Sequence, residues 1–144
     1  MVACPNKRYA AEVVLTIDQV VTQYAAQVPG QRLHFVGYSG AGGALAVLVA
    51  ARRRDVASLR TVAGNLDVDE VNRLHGVSPM PKSQNPIDVA RHVAAIPHIH
   101  FSGADDQVVP ALIAQRYVAA SASSCVQVRI VPSMAHDSDW ASRG

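Results

Sequence analysis

The stretch FVGYSGAGGALAVLVA constrains the fold more than any other part of the sequence, because it places a serine among glycines between two apolar segments. The residues two before and two after Ser39 are Gly37 and Ala41, and both are small. A short apolar run typical of a buried strand precedes them, and a long alanine-rich segment typical of a buried helix follows. Two interpretations compete: the glycines only allow a tight turn, or they make room for a molecule to reach Ser39.

The rest of the chain alternates between short apolar runs and helical patterns. Strands rich in β-branched residues, without polar–apolar alternation, are typical of a parallel sheet covered by helices. We therefore predict one α/β domain over residues 1–144, with a short parallel sheet of about four strands in sequential order, flanked by helices. The predicted strands are residues 32–38, 58–64, 97–103 and 125–131, and the predicted helices are residues 10–28, 39–53, 67–74, 85–96 and 110–120. The helix at 85–96 would begin with Asn85 as its N-cap and Pro86 at its first position.

Charge and composition narrow the classes of partner. A formal net charge of +2 over 144 residues is too small to argue for nucleic acid. The cluster Arg52, Arg53 and Arg54 ends the predicted second helix, where cations complement the helix C-terminus. No apolar run reaches the length of a membrane span, and no apolar leader precedes Cys4, so we expect neither a nucleic acid nor a membrane partner and leave the localisation open. Cys4 and Cys125 could pair or remain free thiols.

A serine hydroxyl becomes an effective nucleophile only when a base removes its proton and an acid orients that base. Both kinds of residue follow later predicted strands: Asp106 lies in GADDQVVP after the third, and His136 lies in VPSMAHDSDW after the fourth. This order favours Ser39 as nucleophile, His136 as base and Asp106 as orienting acid. Asp105, beside it, and Asp67, after the second strand, remain alternatives for the acid.

These segments together resemble the C-terminal part of an α/β-hydrolase, with serine, acid and histidine in that superfamily's order. Its serine turn, the nucleophile elbow, has the pattern G-x-S-x-G, which is met here with Ala41 in the last place. The resemblance covers nearly all of the chain. It implies a doubly wound sheet and an esterase-like or lipase-like cleavage of carboxylic esters through an acyl-enzyme, with no cofactor and no metal. It also implies that the Gly40 N–H donates to the oxyanion that forms during the reaction.

The resemblance also indicates what is lacking. In this superfamily several strands precede the elbow, and a loop after the third of them supplies a second oxyanion donor. Here a single predicted helix precedes Ser39. Three accounts stay open: a truncated or split hydrolase of low activity, a minimal hydrolase that takes a donor from elsewhere, or an inactive relative. A catalytically weak or inactive binding module is therefore the alternative to a serine esterase.

Four further side chains have two interpretations each. Tyr38 and Trp140 flank the predicted site and are candidates for binding the substrate, although packing explains both equally well. His98 and His100 lie two apart on a predicted strand, so they share a face and could contribute to a metal site. No third ligand at a suitable spacing supports a metal, and we favour a packed pair.

The lacking strands also predict how the chain assembles. Residues 33–36 would form an edge of the sheet, and an apolar edge with unpaired N–H and C=O groups is a template for another chain. The flanking helices would also leave apolar surface exposed. We expect a homo-oligomer that buries this edge, for example by exchange of the helix at residues 10–28. The partner copy could also bring the second oxyanion donor.

Overall fold

The predicted sheet is present in the computed structural model of the protein, which describes residues 9–143. Four parallel strands lie in the order β1-β2-β3-β4, which is also their order along the chain. The predicted α/β fold and its sequential strand order are therefore confirmed. The strands are β1 (Leu33–Tyr38), β2 (Val56–Val62), β3 (His98–Gly103) and β4 (Val126–Val131), and the helices are α1 (Ala11–Ala25), α2 (Ser39–Ala50), α3 (Val68–Leu74) and α4 (Ala111–Ser121), with 3-10 helices at Pro86–Val89 and Trp140–Arg143.

The principal core lies on one face of the sheet. The strand register connects Phe35 to Leu59, Leu59 to His98 and His98 to Val126, so these side chains share a face. The buried apolar residues of this face pack against α2 and α4, while α1 packs on α2 in an adjoining cluster. Helices α1, α2 and α4 therefore all lie on one side of the sheet. The main buried core residues are Val47, Ala50, Val56, Leu59, Leu66, Val71, Ala90, Val93, Val109, Ile113, Ala114, Tyr117 and Val126.

The opposite face of the sheet has no such cover within residues 9–143. The register places Val36, Arg60, Ile99 and Gln127 in one row across it. Val36 is 73% exposed, and none of the four belongs to either core cluster. Because parallel sheets are normally covered on both faces, the described residues leave an unusually open surface here.

Strand β1 lies at one edge of the sheet, as the sequence predicted. Beside it is a groove of about 390 Å³ between β1, α1 and α2. The residues that line this groove are largely apolar: Ile17, Val21, His34, Phe35, Val36, Gly42, Leu45, Ala46 and Val49. The expectation that a second copy of the chain covers this edge stays a prediction.

The α-helix predicted at residues 85–96 is wrong. A 3-10 helix spans Pro86–Val89, and successive turns follow it to the start of β3. Asn85 holds the N-cap position and Pro86 begins the 3-10 helix, as predicted, but the Asn85 side chain does not cap it. Its Oδ1 accepts from the Val68 N–H at 3.0 Å, and its Nδ2 donates to Asp67 Oδ1 at 3.1 Å. Its side chain therefore joins the segment to α3, a tertiary contact that the local N-cap pattern does not reveal.

The predicted helix-capping role of the three arginines is also not what is found. Helix α2 ends at Ala50, before the cluster begins. The Arg53 guanidinium instead donates to Asp18 of α1 and to Asp55 at the entrance to β2, both at 2.8 Å. The hydrogen bond from Arg53 holds the pKa of Asp55 below its usual range. Arg53 therefore ties α1 to the sheet rather than capping α2.

Two other sequence expectations concern a membrane span and the two cysteines. None of the helices in residues 9–143 has both the length and the apolar character that crossing a bilayer requires. Cys125 is exposed, and Cys4 lies outside the described residues.

Candidate active site

Strand β1 runs directly into α2, and Ser39 lies at the junction. Ser39 is the first residue of α2 and has φ = 64°, a left-handed backbone conformation that residues other than glycine rarely adopt. A Cβ at Gly37 would collide with the backbone carbonyl of Gly42, so glycine is required where the chain folds back on itself. Backbone strain of this kind persists where the surrounding packing determines it, and it occurs most often at functional sites.

The loop after β2 packs against the same turn. A Cβ at Gly43 would lie 2.5 Å from the Gly64 Cα, so the two backbones are in close contact. Ala63, which precedes Gly64, has φ = 55°. The Asn65 N–H then donates to the Gly40 carbonyl oxygen at 3.1 Å. We call residues 63–65 the β2 loop; it lies directly beside the beginning of α2.

The three residues predicted as nucleophile, base and acid lie together. Ser39 Oγ is 3.0 Å from His136 Nε2, and His136 Nδ1 is 2.9 Å from Asp106 Oδ2. Because a carboxylate oxygen can only accept, the hydrogen bond to Asp106 puts the proton of a neutral ring on Nδ1. Nε2 is then free to accept from the Ser39 hydroxyl. The geometry is that of a continuous chain from carboxylate to serine.

Asp106 is held in place by its own loop. Its Oδ1 accepts from the Val108 N–H at 2.9 Å and from the Val109 N–H at 2.8 Å, which leaves Oδ2 for His136. The Asp106 side chain is fully buried, whereas the His136 side chain is 20% exposed. The carboxylate is thus shielded, and the imidazole can be reached from outside.

The loop that carries His136 is fixed against the end of β3. The backbone of Gly103 is in such close contact with Met134 that a Cβ at Gly103 would collide with the Met134 carbonyl. The Asp105 N–H donates to the same carbonyl at 3.0 Å, and the Trp140 indole N–H donates to the His136 carbonyl at 3.3 Å. The loops after β3 and β4 therefore support each other.

The alternative acids are placed differently. The Asp67 carboxylate forms an ion pair with Arg116 at 2.9 Å, accepts from Asn85, and caps α3 by accepting from the Glu70 N–H. Asp105 is exposed, and its backbone contacts the Met134 loop. Of the three aspartates considered from the sequence, Asp106 is the one that bonds to His136.

The remaining predicted site residues are Gly40, Tyr38 and Trp140. Gly40 is the second residue of α2, where backbone N–H groups have no acceptor within the helix. Tyr38 immediately precedes Ser39 and is 53% exposed. Trp140 lies at the start of the last 3-10 helix and is partly buried, with its indole N–H directed to the His136 loop.

His98 and His100 are buried away from solvent and packed edge-to-face, with ring centroids 4.9 Å apart. Tyr117 completes the cluster, and its hydroxyl lies 3.2 Å from His98 Nε2. Within the described residues, no group of three or more histidine, cysteine, aspartate or glutamate side chains could hold a metal ion. The packed interpretation of this pair fits the contacts.

Comparison with solved structures shows that the chain has the α/β-hydrolase fold. A puromycin hydrolase variant complexed with PGG shares 19% identity at a TM-score of 0.70, over 87% of this chain and 22% of its own. An alpha/beta hydrolase enzyme from the metagenome of sediments of the lagoon of Mar Chica, Morocco, shares 17% identity at a TM-score of 0.62. The match covers 85% of this chain and 61% of that enzyme. The monoacylglycerol lipase of Paleococcus ferrophilus shares 12% identity at a TM-score of 0.65. The match covers 90% of this chain and 71% of the lipase.

The predicted resemblance is therefore confirmed at the level of the fold. This chain spans 22% of the first of these proteins and 61% of the second, so it corresponds to a part of each. No family model matches the sequence, and no curated protein matches it either.

One polar residue at the elbow was missed by the sequence reasoning. Asn65 is 9% exposed and contacts Gly40 through its backbone. The available signal was its position: it follows the second strand by three residues, at the end of the sheet where Ser39, Asp106 and His136 also lie.

Proposed function

We propose that this protein is a serine hydrolase that cleaves carboxylic esters through an acyl-enzyme. The observation that carries the proposal is the hydrogen-bonded chain from Asp106 through His136 to Ser39. The left-handed backbone of Ser39 at the start of α2 supports it, since this turn presents the hydroxyl at a helix N-terminus. The neighbouring folds, which include a lipase and a puromycin hydrolase, are hydrolases and agree with the reaction class.

The chemistry follows from the positions of the protons. His136 Nε2 takes the proton of Ser39 Oγ while Oγ bonds to the ester carbonyl carbon, whose π electrons move to the carbonyl oxygen. The tetrahedral intermediate collapses, and the departing alkoxide takes the proton from His136. A water molecule then attacks the acyl-serine with His136 again as base. The products are a carboxylic acid and an alcohol, and Ser39 regains its proton. Neither half of the reaction calls for a cofactor.

Asp106 would act by holding the His136 ring and stabilising its protonated form. The Asp106 carboxylate is buried and accepts hydrogen bonds from two backbone N–H groups, so it cannot rotate without losing them. The Gly40 N–H would donate to the oxyanion, favoured by the positive end of the α2 dipole. Tyr38 and Trp140 are the side chains we assign to contact with the substrate, because both flank Ser39 or His136 in the chain and lie at least partly at the surface.

A fluorophosphonate probe tests the assignment directly. We expect it to label the wild-type protein and Ser124→Ala, which alters an exposed serine before β4, and not to label Ser39→Ala. A series of p-nitrophenyl esters with increasing acyl length would then define the substrate class through kcat/KM. Circular dichroism of each variant ensures that a loss of labelling reports on the hydroxyl and not on unfolding.

The second candidate is a catalytically weak or inactive hydrolase-fold module that binds without cleaving. The open sheet face and the exposed β1 edge favour it, because both offer surface for another molecule. A folded wild-type protein with no Ser39-dependent labelling would support this candidate and overturn the esterase proposal.

A further inference from the structure

We propose that the side-chain amide of Asn65 is a second donor to the oxyanion, and so a catalytic residue of the same site. This inference rests on the proposed ester cleavage. One donor, the Gly40 N–H, is provided by α2 itself, whereas the tetrahedral intermediate concentrates a full negative charge on one oxygen. A second donor beside Gly40 would share the stabilisation of that charge, and losing one such donor costs about 10²–10³ in kcat.

The first supporting observation is the position of Asn65. Its backbone N–H donates to the Gly40 carbonyl at 3.1 Å, and a Cβ at Gly40 would lie 3.6 Å from the Asn65 Cβ. The Asn65 side chain therefore begins beside the residue that carries the first donor. An amide extends only two bonds beyond its Cβ, so it remains in the neighbourhood of the elbow.

The second observation is that the amide is buried and incompletely paired. Asn65 is 9% exposed, and its Oδ1 has no hydrogen-bond partner among the described residues. Rotation about the Cβ–Cγ bond exchanges the oxygen and nitrogen ends of an asparagine amide with little change in shape. The buried place is occupied by Oδ1 in the orientation shown and by Nδ2, a donor, after this rotation. Buried polar groups are nearly always paired, so this one points to a ligand at the elbow.

The third observation is that the backbone places Asn65 at some energetic cost. Ala63 adopts a left-handed conformation, and Gly64 and Gly43 allow contact between the β2 loop and α2 that larger residues would prevent. An ordinary turn after β2 would require neither feature. Both bring Asn65 against Gly40, beside the junction at which Ser39 lies.

The ligand that these observations favour is the substrate carbonyl oxygen. The amide NH₂ is a neutral donor, so it can bind that oxygen in the ester and more strongly when the oxygen becomes negative. A donor that acts mainly on the intermediate contributes to kcat more than to KM.

Asn72 offers a matched control. It is also an asparagine at 9% exposure, and its Nδ2 likewise has no partner among the described residues. It lies on α3, and its backbone carbonyl accepts from the Val77 N–H, outside the elbow. We expect Asn65→Ala to lower kcat for p-nitrophenyl butyrate about 100-fold with little change in KM, and Asn72→Ala to leave both within about threefold. Asn65→Asp keeps the shape and replaces the donor by an oxygen, so it should lose at least as much and carries the test if the alanine variant does not fold.

A titration with butyrate separates this inference from the proposed function. Butyrate is the carboxylate that hydrolysis of the probe ester releases, and it binds without any step at Ser39. We expect it to shift the side-chain amide resonances of Asn65 in ¹⁵N-labelled protein, and not those of Asn72. If wild-type hydrolysis depends on Ser39 while Asn65→Ala matches Asn72→Ala, the role of Asn65 is overturned and the esterase stands. If no Ser39-dependent hydrolysis occurs, the esterase fails. The catalytic role of Asn65 then fails with it, and a shifted Asn65 amide would support only a carboxylate-binding site. If hydrolysis does depend on Ser39, an unshifted Asn65 amide still overturns the inference.

Discussion

The buried His100 side chain makes the stability of the protein sensitive to acid. His100 lies on β3 with no exposed surface, its Nδ1 is 2.6 Å from Thr61 Oγ1, and its Nε2 has no partner among the described residues. Burial lowers the pKa of His100 from 6.5 to about 3, and the neighbouring His98 adds to the effect. The folded core accommodates the neutral ring and excludes the charged one.

The sign and size of the effect follow from proton binding in the two states. The unfolded chain protonates His100 below about pH 6.5, while the folded protein does so only near pH 3. The stabilising contribution is therefore complete above about pH 6.5 and is lost as the pH falls through that window. Each pH unit costs about 1.4 kcal/mol of unfolding free energy, so at about pH 5.0 the loss from His100 alone is about 2 kcal/mol. Burial also lowers the pKa of His98, and its contribution has the same sign.

Urea denaturation at about pH 7.5 and about pH 5.0 measures this loss. Both pH values lie above the range in which most carboxylates titrate. We expect the wild-type protein and His92→Gln, which alters an exposed histidine, to lose about 2 kcal/mol or more between the two conditions. His100→Gln is less stable at neutral pH because it disturbs the core, but its loss between the two conditions should be about 2 kcal/mol smaller. Equal losses in His100→Gln and the wild type would refute the reasoning.

Three further predictions concern the elbow, the acid and the edge. Gly37→Ala should lower the unfolding free energy by about 1–3 kcal/mol, because its Cβ meets the Gly42 carbonyl; an unchanged thermal melt would contradict this. Asp106→Asn should reduce kcat for p-nitrophenyl esters about 10³–10⁴-fold, since His136 loses its orienting acceptor, and steady-state kinetics with near-normal activity would argue against the assigned acid. If a second copy covers the β1 edge, sedimentation velocity should find a homo-oligomer that Val36→Lys dissociates, and a wild-type protein that is monomeric at micromolar concentrations would end that proposal.

The turn at Ser39 was predictable because its requirements are local. Gly37 is needed where the backbone of Gly42 returns towards β1, and these residues are five positions apart. The strand and helix patterns on either side then fix where the serine lies. Asp106 and His136 could be predicted for a related reason: each follows a recognisable strand, and the carboxyl ends of parallel strands lie at one end of the sheet.

Contacts between distant segments were not predictable in the same way. Asn85 followed by Pro86 has the local pattern of a helix start, yet its side chain bonds to the backbone and side chain of residues 17 and 18 positions earlier. Arg53, at the end of the helix predicted over residues 39–53, has the pattern of a capping residue, yet it bonds to Asp18, 35 positions earlier. In both cases a tertiary partner competes with the local one, and nothing in the neighbouring residues reveals that partner.

Each of the four strands contributes one polar residue at its carboxyl end. Ser39 follows β1, Asn65 follows β2, Asp106 follows β3 and His136 follows β4. The spacing of adjacent strands and the contacts between successive loops therefore set the distances among these side chains. Backbone contacts also join these loops to one another: the Asn65 N–H donates to the Gly40 carbonyl, and the Asp105 N–H donates to the Met134 carbonyl. A sheet that residues 9–143 leave open on one face thus still holds Ser39, His136 and Asp106 in one hydrogen-bonded chain.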